Sequence, residues 1–381
     1  MNTWISSSEA LSMLNVRAQT LYANVSRGKI RTKRDPVDTR KSLYHSGDVA
    51  RLCGRHRGQR RLDDVVAEVT GWGHPIMTSS ISTVKNGVLL YRGINAIDLA
   101  RSWSLEDVAS LLWQSQKFKI SEPAFNASER IFYSACPIEK TMQAVSSQMH
   151  LDPFTRAQPE INLKTNAIEI LARVIYALFG GTPKKLEGSI SQIACNFWEI
   201  PEAENSVREA LCLLADHELN ASTFATRVVI STGASFCSGI IAGLAALSGP
   251  LHGRVYTELN SLISRSNDIG TEPAIKEWTH KHNYIPGFGH PLYPEGDIRC
   301  KALLSSIPQN NRLQEIQKTV IHLTGELPNI DFALACLVEH YKLPSEAPIY
   351  LYIAARTVGW LAHAMEQSLE GKLIRPRARY Q

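Results

Sequence analysis

Cysteine is scarce and unpatterned in this chain: seven residues, at 53, 136, 195, 212, 237, 300 and 336, with no Cys-x-x-Cys pair. A disulfide framework needs an even, regularly spaced set and a structural zinc site needs close pairs, so both are excluded, and a reducing, cytoplasmic setting is expected. Long apolar runs are missing as well. The nearest approach, Val228 to Leu251, is interrupted by Ser, Thr, Gly and Pro; it reads as a buried helix whose small residues permit close helix approach, and no membrane partner is expected. No basic segment followed by an apolar core opens the chain, so no secretory signal is expected. Alternating strand patterns are almost absent, and no internal repeat suggests a solenoid.

What remains is an ordinary globular composition over 381 residues, 44% apolar and 20% charged, which suffices for a large core and two or three domains. Charge is segregated. Residues 1–62 carry thirteen Lys/Arg against four Asp/Glu, a balance of +9 in a chain whose total is +5, so the rest is net acidic. A separate basic module with an acidic partner is implied, DNA being the candidate.

Ser6-Ser-Ser-Glu9 has the form of a capping box, and a short helix through Ala10, Leu11 and Leu14 follows it. A second helix spans about Arg17 to Ser26, ends before Gly28 and leads into a basic, strand-like segment. This part resembles winged helix-turn-helix domains of the MerR and excisionase type, through Thr20-Leu-Tyr22, Gly28-Lys-Ile30 and Ser42-Leu-Tyr-His-Ser-Gly-Asp-Val-Ala-Arg-Leu52. The resemblance implies that the second helix enters a major groove and that Arg31, Lys33, Arg34 and Arg40 touch phosphates. The residues themselves leave a second reading open, a small basic helical domain that docks on its own enzyme. The module is placed at 1–53 and a polar, basic linker at 54–65.

Asn86-Gly87, between two apolar runs in Ile81 to Gly93, predicts a hairpin. Beyond it helical spacing dominates. Helices are predicted at 122–134, 138–150, 164–180, 186–198, 203–214, 220–247, 253–265, 308–324, 330–341 and 346–370, after one capped by Ser104. The fold class is all-α.

Three histidines sit at helix ends or glycine turns: His217, His252, and His290 in Pro286-Gly-Phe-Gly-His290, which Arg299 follows nine residues later. None pairs with another at the i, i+4 spacing of a metal site, so metal is disfavoured. Asp331 follows Pro328 at a predicted helix start, where it reads either as a buried carboxylate or as an N-cap. Arg299, Arg356 and Arg375 are candidates for bidentate carboxylate recognition.

Tyr91-Arg-Gly93, Asp216 to Thr223, Gly249-Pro-Leu-His-Gly253, Gly287-Phe-Gly-His290 with Arg299, Asn329-Ile-Asp331, Arg356-Thr-Val-Gly-Trp360 and Arg375-Pro-Arg377 together resemble the citrate synthase family in order and spacing, over about residues 66–381. The resemblance implies an all-α homodimer with large and small helical domains, the small one near 254–340. It also implies condensation of acetyl-CoA with oxaloacetate and no further cofactor. Asp331 would be the base, His252 the hydrogen-bond donor to the thioester oxygen and His290 the group polarising the ketone. His217, Arg299 and Arg356 would hold the oxaloacetate carboxylates, with Arg375 reaching across from the other subunit. Departures from the family pattern at Arg254, Pro291, Pro294, Gly325-Glu-Leu327 and Ala333-Leu-Ala335 fall on the CoA side. They leave open a 2-methylcitrate synthase using propionyl-CoA. A DNA-binding regulator that senses a metabolite through a synthase-like domain stands beside both.

Overall fold

The computed structural model describes residues 4–56 apart from 15, 17, 37 and 39, then 77–123, 134, 136–180, 187–308 and 310–376. Two compact units result, Met1–Thr78 with Gln317–Glu326, and Ser79–Ile316 with Leu327–Gln381.

The first unit runs β1 (Trp4–Ile5), α1 (Ser7–Leu14), α2 (Ala18–Ser26), β2 (Thr32–Arg34), β3 (Ser42–His45) and α3 (Ser46–His56). The capping box is present: the Glu9 N–H donates to Ser6 Oγ at 3.3 Å and the Ser6 N–H to Glu9 Oε2 at 2.7 Å. The strands form an antiparallel sheet in the order β1-β3-β2, more strand than the single segment expected. Its core is small, with Ala10, Leu14, Leu21, Ile30, Tyr44, Val49 and Leu52 contributed by the helices and the sheet. Helix α3 continues through His56, three residues into the stretch read as linker; the rest of that stretch lies outside the described residues.

The second unit opens with β4 (Ser82–Lys85), β5 (Val88–Tyr91) and β6 (Ile94–Asn95), an antiparallel meander. Asn86 and Gly87, at φ 52° and 76°, make the predicted turn. Helices follow: α4 (Ala96–Ala100), α5 (Leu105–Trp113), α6 (Pro137–Ser146), α7 (Glu160–Phe179), α8 (Ile190–Trp198), α9 (Glu204–Leu214), α10 (Ala221–Ser231), α11 (Phe236–Leu247), α12 (Val255–Ile269), α13 (Thr271–Lys281), α14 (Ile298–Ser306), α15 (Asn311–Thr324), α16 (Ile330–Tyr341) and α17 (Ala347–Glu370). Among the described residues no helix is long and apolar enough to cross a membrane.

Helix α17 is buried along most of its length, Trp360 completely, and packs against α5, α7, α9, α10 and α11. A helix apolar on all sides belongs at the centre of a helical core. The stretch 220–247, expected as one helix, is two. It breaks at Gly233, φ 85°, and the halves pack as a hairpin. That packing needs Gly243, where a Cβ would lie 2.8 Å from Thr226 Oγ1 and 3.0 Å from the Trp360 ring. Helix α13 was not expected; it holds Pro273 in its first turn, where proline removes no helical hydrogen bond. Helix α14 was not expected either, and most of the helix predicted at 122–134 lies outside the described residues.

Candidate active site

His217, His252 and His290 sit in turns and Arg299, Asp331 and Arg356 on helices, and glycine geometry fixes the decisive turn. Gly287 and Gly289 adopt φ 81° and 74°, left-handed backbone that favours glycine, and a Cβ on Gly287 would come within 3.0 Å of Leu259. The turn lies alongside the segment that leads into α16. The Gly289 N–H donates to Leu327 O at 2.8 Å, the Asn329 N–H to Gly287 O at 2.9 Å, and Asn329 Nδ2 to Gly289 O at 3.0 Å. His290 and Asp331 thereby sit on laced segments. The N-cap of α16 is Asn329, whose side chain accepts from the Asp331 N–H, so the N-cap reading of Asp331 is corrected. Asp331 itself lies in the first turn, where the helix dipole favours a carboxylate.

Burial pushes the Asp331 pKa up to about 6, against the opposing pull of a 3.0 Å hydrogen bond donated by Tyr352 Oη to Oδ1 and of the Arg299 charge. A carboxyl group titrating there is half-prepared as a base at neutral pH. The three histidines move the other way. Burial, helped by Arg299, lowers His290 to about 4; burial and then Arg356 lower His252 to about 4; burial, Arg299, His290 and Arg356 hold His217 well below the usual range. All three are neutral at pH 7 and act as hydrogen-bond donors or acceptors. His290 Nδ1 accepts from the Leu292 N–H at 3.2 Å, so its proton is on Nε2. His252 Nε2 meets Ser222 Oγ at 2.8 Å, which leaves Nδ1 for a ligand, and the Trp360 indole N–H donates to the same hydroxyl at 3.2 Å.

The structure gathers His217, His290, Arg299 and two residues the sequence did not single out, Tyr293 and Asp297. The His217 and His290 rings stand edge to face at 5.1 Å, and His217 Nε2 lies 2.9 Å from Tyr293 Oη. Arg299 is clamped by Asp297, Nε to Oδ1 at 3.0 Å and Nη2 to Oδ2 at 2.8 Å, and lies over the Tyr293 ring at 5.4 Å. Asp297 Oδ2 also accepts from the Ile330 N–H at 3.0 Å, tying the arginine to the residue before Asp331. Despite its burial, the Arg299 charge holds Asp297 below the ordinary carboxylate range. Buried Arg356 donates through Nε to Leu214 O at 3.0 Å, and its terminal nitrogens meet no protein carboxylate among the described residues. A buried guanidinium in that state favours an anionic ligand. The first hairpin supports this end of the site: the Ser82 hydroxyl donates to Asp216 Oδ2 and accepts from the Glu218 N–H, bracketing His217.

A cleft of about 230 Å3 opens between Pro250, Leu251 and Val255 on one side and Tyr284 to Phe288 on the other, with Asn329 and Asp331 in its lining. Arg375 lies past the end of α17 and is exposed. Pro291 and Pro294 are exposed and Ala333 and Ala335 buried. Among the described residues no group of His, Cys, Asp or Glu could hold a metal ion. Tyr352, also unpredicted, carries a recoverable signal: it precedes Arg356 by four residues on one helix, so both share a face.

Residues 70–377 match the family model "Citrate synthase, C-terminal domain". Citrate synthase 2 of Bacillus subtilis is 30% identical over 355 residues, 80% of this chain and 92% of that protein. The 2-methylcitrate synthase of Mycobacterium tuberculosis is 29% identical over 353 residues, 81% of this chain and 88% of that one. The crystal structure of citrate synthase from Thermotoga maritima superposes with a TM-score of 0.66 at 25% identity, covering 82% of this chain and 95% of that one.

Proposed function

The chain belongs to the citrate synthase family, and we propose that its buried cluster condenses acetyl-CoA with oxaloacetate and water to give citrate and CoA. The observation that carries this is Asp331, half-buried at the cleft and raised to about 6, beside a site holding two buried arginines and three neutral histidines. Arg299, Arg356 and His217 bind the oxaloacetate carboxylates, and Arg375 completes that site from the second subunit of a homodimer. Asp331 takes a proton from the acetyl methyl group while His252 donates to the thioester oxygen. The acidity of that methyl is too low for a carboxylate unless the developing oxygen charge is stabilised in the same step. The enol carbon then attacks the ketone of oxaloacetate, His290 Nε2–H polarises that carbonyl, and the new alkoxide takes its proton there. Water cleaves the citryl thioester and releases CoA thiol. Closure of the segment near 254–340 keeps water out until the carbon–carbon bond has formed.

Thiol release from acetyl-CoA and oxaloacetate tests this. Asp331→Ala and His290→Ala are each expected to lower kcat by about 10²–10⁴-fold; a chain that releases no thiol, or variants as active as the wild type, would refute it. Use of propionyl-CoA is a second reading, favoured by the apolar walls at Pro250, Leu251, Val255 and Phe288 beside Asp331. Ranking acyl-CoAs by kcat/KM separates the two. DNA binding through residues 1–62, in the manner of a winged helix-turn-helix, is supported by exposed Gln19, Thr20 and Tyr22 on α2 and exposed Arg34, Arg40 and Lys41 at the β2–β3 hairpin. Arg31 and Lys33 are engaged inside the unit, by Asp48 and by the Trp4 ring at 4.7 Å, which reduces the cations left for phosphate. Affinity falling steeply with salt would support the DNA reading.

A further inference from the structure

The strongest unexplained cluster lies in the first unit, where side chains from the N-terminal elements hold the peptide at 325–326. Arg31 Nη1 donates to Gly325 O at 2.6 Å, while Nε and Nη2 of the same guanidinium donate to Asp48 Oδ2 and Oδ1 at 2.9 and 3.2 Å. His45, buried, lies 3.3 Å through Nε2 from Glu326 Oε1 and 3.6 Å through Nδ1 from Asp48 Oδ1. Trp4 stands edge-on to the His45 ring at 5.3 Å. Gly325, at φ 74°, has no room for a side chain, because a Cβ would come 2.9 Å from Trp4 Cζ2. The contact is built from both sides: a glycine where the indole approaches, a carboxylate where the imidazole points, and a carbonyl where the guanidinium ends.

The chain continues from Glu326 into Leu327 and Asn329, whose backbone groups are laced to the turn that carries His290, and reaches the base five residues on. We propose that Arg31 and His45 are positioning residues for the condensation: by fixing Gly325 and Glu326 they set the strain-free path of the segment that delivers Asp331. This rests on the reading of Asp331 as the base. It gives the N-terminal module a role in catalysis that requires no nucleic acid.

The test uses the full chain. Glu326→Ala and His45→Ala remove the carboxylate and the imidazole separately; Glu326→Gln keeps an acceptor for the His45 N–H. Glu326 is one-third exposed, so its variants are expected to fold even where His45→Ala does not. Both alanine variants are expected to lower kcat by about tenfold or more, since small misplacements of a reacting group are costly, with KM for oxaloacetate unchanged and Glu326→Gln close to wild type. Hydrogen exchange at the Gly289 and Asn329 amides is expected to accelerate in the same variants. Folded Glu326→Ala with unchanged kcat overturns the proposal, and so does a lower kcat with unchanged exchange, because the effect then bypasses the segment. A wild-type chain that releases no thiol while exchange still responds would instead overturn the assignment of Asp331.

Discussion

Tyr352 and Asp331 show how a single hydroxyl tunes a carboxyl group. The phenol donates to one carboxylate oxygen and opposes the rise that burial imposes. In the proposed role of base, Asp331 must be ionised to accept a proton, so activity is expected above its pKa and is expected to fade as pH falls through about 6. Tyr352→Phe removes the lowering influence, and the acid limb of the kcat/KM profile is expected to move to higher pH; an unmoved limb would show that the hydroxyl does not act on the base. Ser222→Ala should lower kcat by freeing the His252 ring, read as a kcat loss without a shift in oxaloacetate KM. His252 and His290 stood out as candidates in the sequence because each stands beside glycine or proline, whose backbone demands mark a turn that presents a side chain, whereas His217 and Asp331 were singled out through the order of the family-like motifs. Tyr293, Asp297 and Tyr352 were not. Tyr293 and Asp297 stand beside Pro294 and Gly296, yet the sequence does not say which side chains of that stretch meet; proximity in space does, as where Asp297 reaches both Arg299 and Ile330 N–H, and Tyr352 is marked only by its spacing of four from Arg356.

Among elements, the turn at 286–290 is the least replaceable. Gly287→Ala puts a side chain into left-handed backbone and against Leu259, an expected loss of about 1–2 kcal/mol. Thermal unfolding reads that loss, and kcat should fall further than stability alone explains because the lacing to Leu327 and Asn329 is disturbed. A wild-type kcat in Gly287→Ala would show that the turn tolerates a Cβ. Helix boundaries were mostly visible from spacing and caps, as at Ser104, whose capping box with Asp107 is intact. The hairpin of α10 and α11 was not, since the apolar and small residues on either side of Gly233 keep a helical pattern through the break. Helix α13, with Pro273 in its first turn, carried no pattern strong enough to be expected.

At the level of the whole molecule, charge segregation identified a distinct N-terminal module, but no local signal said that residues 317–326 join it. Their union depends on Arg31, His45 and Glu326 meeting across nearly three hundred residues of chain. It carries a pH signature. The groups facing His45 are Trp4, Arg31, Asp48 and Glu326; burial and Arg31 oppose its charge, and the two carboxylates outweigh them and raise its pKa. The His45 partner and the Arg31 charge in turn depress Glu326. A raised histidine stabilises below its ordinary value of 6.5 and loses that contribution as pH climbs through the folded value. A depressed glutamate stabilises above its ordinary 4.5 and loses it on acidification. Resistance of the first unit to denaturant should therefore be greatest between about 4.5 and 6.5, and His45→Gln should abolish the decline on the alkaline side. The central helix α17 has a different consequence, in time. It supplies Tyr352 and Arg356, fills the core between the helices that surround it, and ends at Glu370. During synthesis the partner helices emerge first with their apolar faces unmatched. The core of the second unit therefore closes only once that helix has been made.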